Sequence, residues 1–266
     1  MGKVSLLIDT SKCTGCRGCQ VACKEWNDLA ATDTTNWGSY ENPPDLSAST
    51  WTRIAFHEVE GDSGVKWLFL KQGCMQCTQA VCVEVCPTQA LQHHDMGFIS
   101  LDQERCNGCG YCAEFCPFQI PRLEANAFTG QGKITKCTLC QDRVTNDMSP
   151  ACAKTCPANA IYFGDRQEML ATAKQRVDEL KAGGHSNASV YGETELGGLG
   201  RMYVLLERPA QYGLPENPSP ALAGFWQKGI QPFGYAAVGL TLLGLGFNWL
   251  AQRRNSALSV KAQEEA

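Results

Sequence analysis

The chain of 266 residues carries 23 basic and 27 acidic side chains, a net charge of −4 that leaves no basic footprint for nucleic acid. Its length supports one large or two small domains with real cores. Cysteine is the outlier: all 16 lie between Cys13 and Cys156. The N-terminal apolar run spans about five residues, short of the 7–15 that an export signal needs, so a secreted disulfide framework is not expected and the chain is expected to carry no export signal of its own.

A short apolar run, Val4–Asp9, reads as a strand and leads into Cys13, Cys16, Cys19 and Cys23, spaced C-x2-C-x2-C-x3-C. An insertion follows, with turn chemistry at "NPPD" (42–45) and two strand-like runs, 51–59 and 65–71. The second quartet, Cys74, Cys77, Cys82 and Cys86, opens its middle gap to four residues. The third, Cys106, Cys109, Cys112 and Cys116, repeats the first spacing behind a second strand-like run, "GFISLD". The fourth, Cys137, Cys140, Cys152 and Cys156, has a middle gap of eleven. Pro87, Pro117 and Pro157 follow the last cysteines of three quartets, whereas Lys24 follows Cys23.

Three thiolates from one tight loop reach three irons of a small cube, and the fourth cysteine, usually before Pro, belongs to the other cluster of a pair. Zinc wants two spaced pairs and does not explain a third cysteine two residues on, repeated. There is no C-x-x-C-H for c-type haem. Sixteen ligands at four per cube give four [4Fe–4S] clusters.

The first and third quartets follow a strand-like run ending in Asp9 or Asp102, four residues before the first cysteine. The second and fourth lead into "CPTQAL" and "CPANAI". A two-cluster unit needs one half of each kind, so the second pairs with the third and the first with the fourth. Pairing the third with the fourth is the rival, against which the half-types argue. With the fourth-cysteine exchange, the expected ligand sets are Cys13, Cys16, Cys19 with Cys156; Cys137, Cys140, Cys152 with Cys23; Cys74, Cys77, Cys82 with Cys116; and Cys106, Cys109, Cys112 with Cys86.

Further on, 166–182 repeats apolar positions at Met169, Ala173, Val177 and Leu180 and stops at Gly183-Gly184, an amphipathic helix. "RMYVLLE" (201–207) reads as a strand, and "GGLGR" (197–201) as a plain turn. Past a proline-rich stretch, Pro232–Ala251 holds twenty residues without a charge, enough to span a bilayer core. Phe225, Trp226, Phe233, Tyr235 and Trp249 sit at its ends, with Arg253-Arg254 behind, which weakly favours a cytoplasmic C-terminus; Lys228 lies on the other side. The span holds no His to ligate haem, and His57, His93, His94 and His185 read as surface residues.

The expected architecture is α+β. Residues 1–208 hold two ferredoxin-like units, one inserted in a circularly permuted other: the first from 1–30 and 131–165, the second from 68–125, with an insertion 31–67 and a helix and strand extension 166–208. A linker 209–228, a transmembrane helix 229–251 and a polar tail 252–266 complete it. No nucleophile–base motif or nucleotide fingerprint is present, so the chain reads as a wire, not a catalyst.

"CTGCRGCQVACKEWND", "CNGCGYCAEFCPFQIPRL", "KCTLCQDRV", "PACAKTCPANAIYFG" and "KGIQPFGYAAVGL" resemble the iron–sulfur (β) subunit of respiratory, membrane-bound formate dehydrogenases. The cysteine motifs specify the wider group, electron-transfer subunits of molybdopterin oxidoreductases and some hydrogenases; "KEWND" and the tail favour formate dehydrogenase. The resemblance implies a catalytic α subunit with molybdenum or tungsten on molybdopterin and a membrane cytochrome b (γ) subunit that reduces quinone. It also implies a single-pass subunit of the cell membrane with its clusters on the periplasmic face. The alternative is the same wire in a nitrate, polysulfide or dimethyl-sulfoxide reductase or a membrane-bound hydrogenase.

Overall fold

The computed structural model describes residues 3–61, 64–125, 132–219 and 230–264, of which 255–264 by backbone alone. The chain divides into two compact units, Met1–Ala221 and Leu222–Ala266.

In the first unit, β1 (Val4–Asp9) is the spine. It pairs antiparallel with β8 (Ile161–Asp165), Ile8 opposite Ile161, and parallel with β10 (Arg201–Leu205), Leu6 opposite Arg201. β9 (Ser189–Tyr191) completes the order β8-β1-β10-β9. Alternate side chains point to opposite faces of a strand, and both faces here are covered. Leu7, Met202 and Val204 pack with Ala173, Val177 and Leu180 of α6 (Arg166–Ala182). Leu6, Ile8, Tyr203 and Leu205 face the cysteine loops. The α6 N-terminus is capped by Asp165, which accepts from the backbone N–H groups of Gln167 and Glu168.

The strand that precedes the first quartet therefore pairs with the strand that follows the fourth. The second and third quartets repeat this: β4 (Leu91–His93) pairs antiparallel with β5 (Ile99–Leu101), Leu91 opposite Leu101. The short helices match as well. The α1 helix (Gly18–Trp26), bearing Cys19 and Cys23, packs on α5 (Ala151–Lys154), bearing Cys152. Likewise α2 (Val81–Glu84), bearing Cys82, packs on α3 (Tyr111–Glu114), bearing Cys112. Asp9 and Asp102 form the same local turn: their carboxylates accept from the backbone N–H groups of Ser11 and Glu104. Asp9, fully buried, also pairs with Arg176 at 3.0 Å.

The insertion forms a hairpin of β2 (Thr52–Gly61) and β3 (Gly64–Gly73), which lie over the first loop. A smaller antiparallel pair, β6 (Arg122–Ala125) with β7 (Gly132–Thr135), separates the third and fourth quartets, and a short helix α4 (Gln141–Val144) lies within the fourth, between Cys140 and Cys152. The start of the expected linker is instead part of the folded body. Tyr212 and Leu214 are buried, and the Tyr212 hydroxyl donates to or accepts from Thr10 Oγ1 at 3.1 Å. An aromatic ring in a predominantly polar stretch gains more from burial than the chain loses in freedom. Positions 220–229, including Phe225, Trp226 and Lys228, lie outside the described residues.

In the second unit, α7 (Gln231–Glu264) includes one stretch, Gln231–Arg254, long and apolar enough to cross a membrane. Its Leu240, Phe247 and Trp249 are exposed.

Candidate metal centres

All four quartets open with the same turn. The second residue after the first cysteine is left-handed: Gly15 (φ 67°), Gln76 (53°), Gly108 (73°) and Leu139 (59°). For Gln76 and Leu139 this costs about 1–2 kcal/mol each. The turn directs backbone N–H groups at sulfur, Gly15 towards Cys13 and Leu139 towards Cys137. Gly108 has a second reason to be glycine: a Cβ there would lie 2.1 Å from the Gly132 carbonyl oxygen.

The cysteine–proline corners also agree with one another. Gln89, Gln119 and Asn159, three residues after Cys86, Cys116 and Cys156, are left-handed too. They curl N–H groups onto the sulfur: Ala160 donates to Cys156 Sγ at 3.3 Å, while Leu91, Ala90 and Thr88 surround Cys86. Cys23 departs because α1 continues to Trp26. Lys24, standing where the others have Pro, donates instead to the Ala30 and Ser49 carbonyls and so ties down the insertion.

The thiols gather in four groups. Cys13, Cys16, Cys19 and Cys156 line one cavity. Cys23, Cys137, Cys140 and Cys152 line another. Cys77 has Cys74, Cys82 and Cys116 as its thiol neighbours. Cys112 has Cys109, Cys86 and Cys106. Adjacent groups also lie close together. Cys19 is near Cys152, Cys74 shares an apolar cluster with Cys137, and Cys82 is near Cys112. The groups thus form a line whose two ends each carry one exposed thiol, Cys16 and Cys109, while Cys19, Cys23, Cys74, Cys112, Cys137, Cys140 and Cys152 are buried.

Among the described residues no three His, Cys, Asp or Glu side chains converge on a point fit for a single metal ion. The thiols surround spaces instead, as the corners of a cube require and as four ligands at about 2.3 Å from one zinc do not.

Three cations are buried along this line. Lys71 faces both of the first two cavities and donates to Thr52 Oγ1 at 2.7 Å. Lys136 donates to the Ile99 carbonyl at 2.6 Å. Arg201, 0% exposed, places Nη2 3.8 Å from Cys137 Sγ. Among the described residues none of the three has a carboxylate within ion-pair distance. An uncompensated buried charge costs several kcal/mol, and the thiols do not supply the missing negative charge as free side chains. Burial pushes Cys19 and Cys140 up to about 11, and Cys82 and Cys112 up to about 12. Cys137 runs the other way: burial raises it, but Arg201 and Lys71 together pull it below the ordinary thiol value. A group that binds four thiolates and is net anionic answers all three cations, so these residues fit [4Fe–4S] clusters.

Sequence reasoning missed the cations. Lys71, closing the apolar run Trp67–Leu70 and three residues before Cys74, is the visible signal. The histidines need a correction. His93 and His185 are exposed, but His94 is half-buried and stacks on Phe98, and His57 is half-buried with its Nε2 enclosed and unpartnered. Each is drawn in by an aromatic neighbour, Tyr212 in the case of His57.

Two family profiles described as a 4Fe-4S dicluster domain match residues 12–90 and 65–166. The chain is 42% identical over 274 residues, 98% of its length and 90% of the relative's, to the formate dehydrogenase-O iron–sulfur subunit of Escherichia coli K12. It belongs to the formate dehydrogenase iron–sulfur subunits. The nitrate-inducible formate dehydrogenase iron–sulfur subunit of the same organism is 43% identical across 93% of this chain and 85% of its own. That of Haemophilus influenzae is 42% identical across 89% and 77%. A formate dehydrogenase iron–sulfur subunit with ferredoxin-type domains is a non-catalytic electron-transfer subunit, in agreement with the lack of a nucleophile–base motif in the sequence.

Proposed function

We propose that this chain carries electrons from a formate-oxidising, molybdopterin-containing catalytic subunit through four [4Fe–4S] clusters to a membrane cytochrome b that reduces quinone. The ligand sets are Cys13, Cys16, Cys19 with Cys156; Cys137, Cys140, Cys152 with Cys23; Cys74, Cys77, Cys82 with Cys116; and Cys106, Cys109, Cys112 with Cys86. Bound there, the clusters supply one-electron redox capacity at four successive sites. The observation that carries the reading is the unbroken line of thiol groups with buried, carboxylate-free cations between them.

The chain's own residues set the direction. The Cys16 end adjoins an aromatic surface on the insertion, where Tyr40 meets Trp67 and Phe56 meets Phe69 edge to face and Arg17 lies over Phe56 at 5.0 Å. Exposed Tyr40 and Trp67 beside an exposed thiol suit a protein partner, and aromatic and Arg side chains lead such interfaces. We assign this end to the catalytic subunit and the Cys109 end to the cytochrome. The β1–β8 and β4–β5 pairings support two ferredoxin-like units, the second inserted in a circularly permuted first. The Gln231–Arg254 helix anchors the chain in the cell membrane, and Arg253-Arg254 at its C-terminal end favour a cytoplasmic C-terminus and clusters on the outer face.

The test is to purify the intact complex from membranes and assay formate-dependent dye reduction. Formate should reduce the dye and bleach the visible iron–sulfur absorbance of this subunit. A complex that reduces dye with hydrogen or another donor but not with formate refutes the assignment.

A further inference from the structure

Of the three buried cations, Arg201 stands where the first pair of thiol groups meets the second. Burial aside, its neighbours are Tyr203 first, then Cys137, Cys152 and Cys74. Its hydrogen bonds hold it only loosely: Nε has no partner, Nη1 reaches the Lys71 carbonyl only at 3.5 Å, Nη2 has a thiol sulfur, and the Tyr203 side chain is its remaining polar neighbour. The fold makes room for it. Gly73 has φ 152°, and a Cβ there would come within 2.6 Å of Nη1 and 2.9 Å of the Trp51 carbonyl oxygen. The backbone is fixed on both sides, Arg201 N donating to the Met75 carbonyl at 3.0 Å while β10 runs parallel to β1. A guanidinium cannot lose its proton in a protein, so the charge is permanent and, in a dry interior, weakly screened.

We propose that Arg201 is a positioning residue that fixes a positive charge at the crossing between the two ferredoxin-like units, raising the reduction potential of the site built by Cys137, Cys140, Cys152 and Cys23. The inference rests on the ligand sets proposed above. Adding one electron to a net-anionic site raises its negative charge, and an adjacent cation favours that reduced form. The effect is graded along the line. It is largest at the Cys137 site, whose sulfur lies 3.8 Å from Nη2, smaller at the Cys74 site, and smallest at the site of Cys106, Cys109, Cys112 and Cys86 at the far end of the line. Lys71 is different: it faces the first two cavities together and raises both. Arg201 therefore distinguishes the crossing from the sites beyond it.

The experiment is a redox titration of the intact complex, followed by electron paramagnetic resonance, with Arg201→Met, Arg201→Lys and Gly73→Ala. The Cys137-site signal is the one that Cys140→Ser alters. Arg201→Met should cost the reduction equilibrium of that site at least tenfold, about 59 mV for a one-electron couple, shift the Cys74 site less, and shift the Cys106 site least. Arg201→Lys should recover most of the shift. An iron-complete Arg201→Met complex whose midpoints all match the parent overturns the inference, as does Arg201→Lys shifting as far as Met. If Arg201→Met binds less iron than the parent, Gly73→Ala decides: displacing the guanidinium should lower the same midpoint by a smaller amount, and an unchanged midpoint overturns the inference. Iron content of the parent complex separates this from the ligand sets themselves, because sixteen irons with unmoved potentials sinks only the role of Arg201.

Discussion

Cys109→Ala should leave formate-to-dye activity near the parent rate while formate-to-quinone activity falls to background. Cys109 is an exposed thiol at one end of the line, in the group with Cys106, Cys112 and Cys86. The opposite end, at Cys16, adjoins the aromatic surface assigned to the catalytic subunit. Artificial acceptors take electrons upstream of the last site, whereas quinone reduction needs every site in turn. The equivalent change at the other end, Cys16→Ala, should depress both reactions wherever the dye accepts beyond the first site. Measured side by side in purified membranes, a Cys109→Ala complex that assembles and reduces quinone at the parent rate, or loses only the dye reaction, shows that the order is wrong.

Cys23→Ala should damage a cluster other than the one its neighbours in sequence hold. Cys23 lines the cavity of Cys137, Cys140 and Cys152, while Cys13, Cys16 and Cys19 line the other with Cys156. The α1 helix spaces the two thiols along its axis. Cys19 and Cys23 lie four residues apart on it, one turn along, and each faces a different cavity. The expected result is loss or conversion of the Cys137-site signal with the Cys13-site signal unchanged. Loss of the Cys13-site signal alone would place Cys23 on the same cube as Cys13 and end the exchange of fourth cysteines.

Much of this was legible in one dimension. Cluster loops are local, so C-x2-C-x2-C spacing encodes them directly, and the two kinds of half announced which strands would meet. Ile8 opposite Ile161 and Leu91 opposite Leu101 are those pairings. The α6 helix ran over the expected residues because Ala173, Val177 and Leu180 recur at helical spacing against a sheet face. Other features depend on contacts between residues distant in sequence, and periodicity is silent about those. The parallel pairing of β10 with β1 joins positions almost two hundred residues apart. It is what carries Arg201 out of the "GGLGR" turn and up to Cys137. Lys71 and Lys136 look in sequence like ordinary strand and loop lysines, and only burial beside thiols from other quartets gives them meaning. Tyr212 was read as linker because prolines surround it, yet its hydroxyl meets Thr10 at the far end of β1.

The central claim is that all four groups of thiols are cluster sites, and metal analysis of the purified complex tests it most directly. Iron and acid-labile sulfide are counted on this subunit after subtracting any held by its partners. The account predicts sixteen of each per chain, one iron for every cysteine, with no zinc. A count of about twelve, the content of three cubes, or zinc in stoichiometric amount, would contradict it.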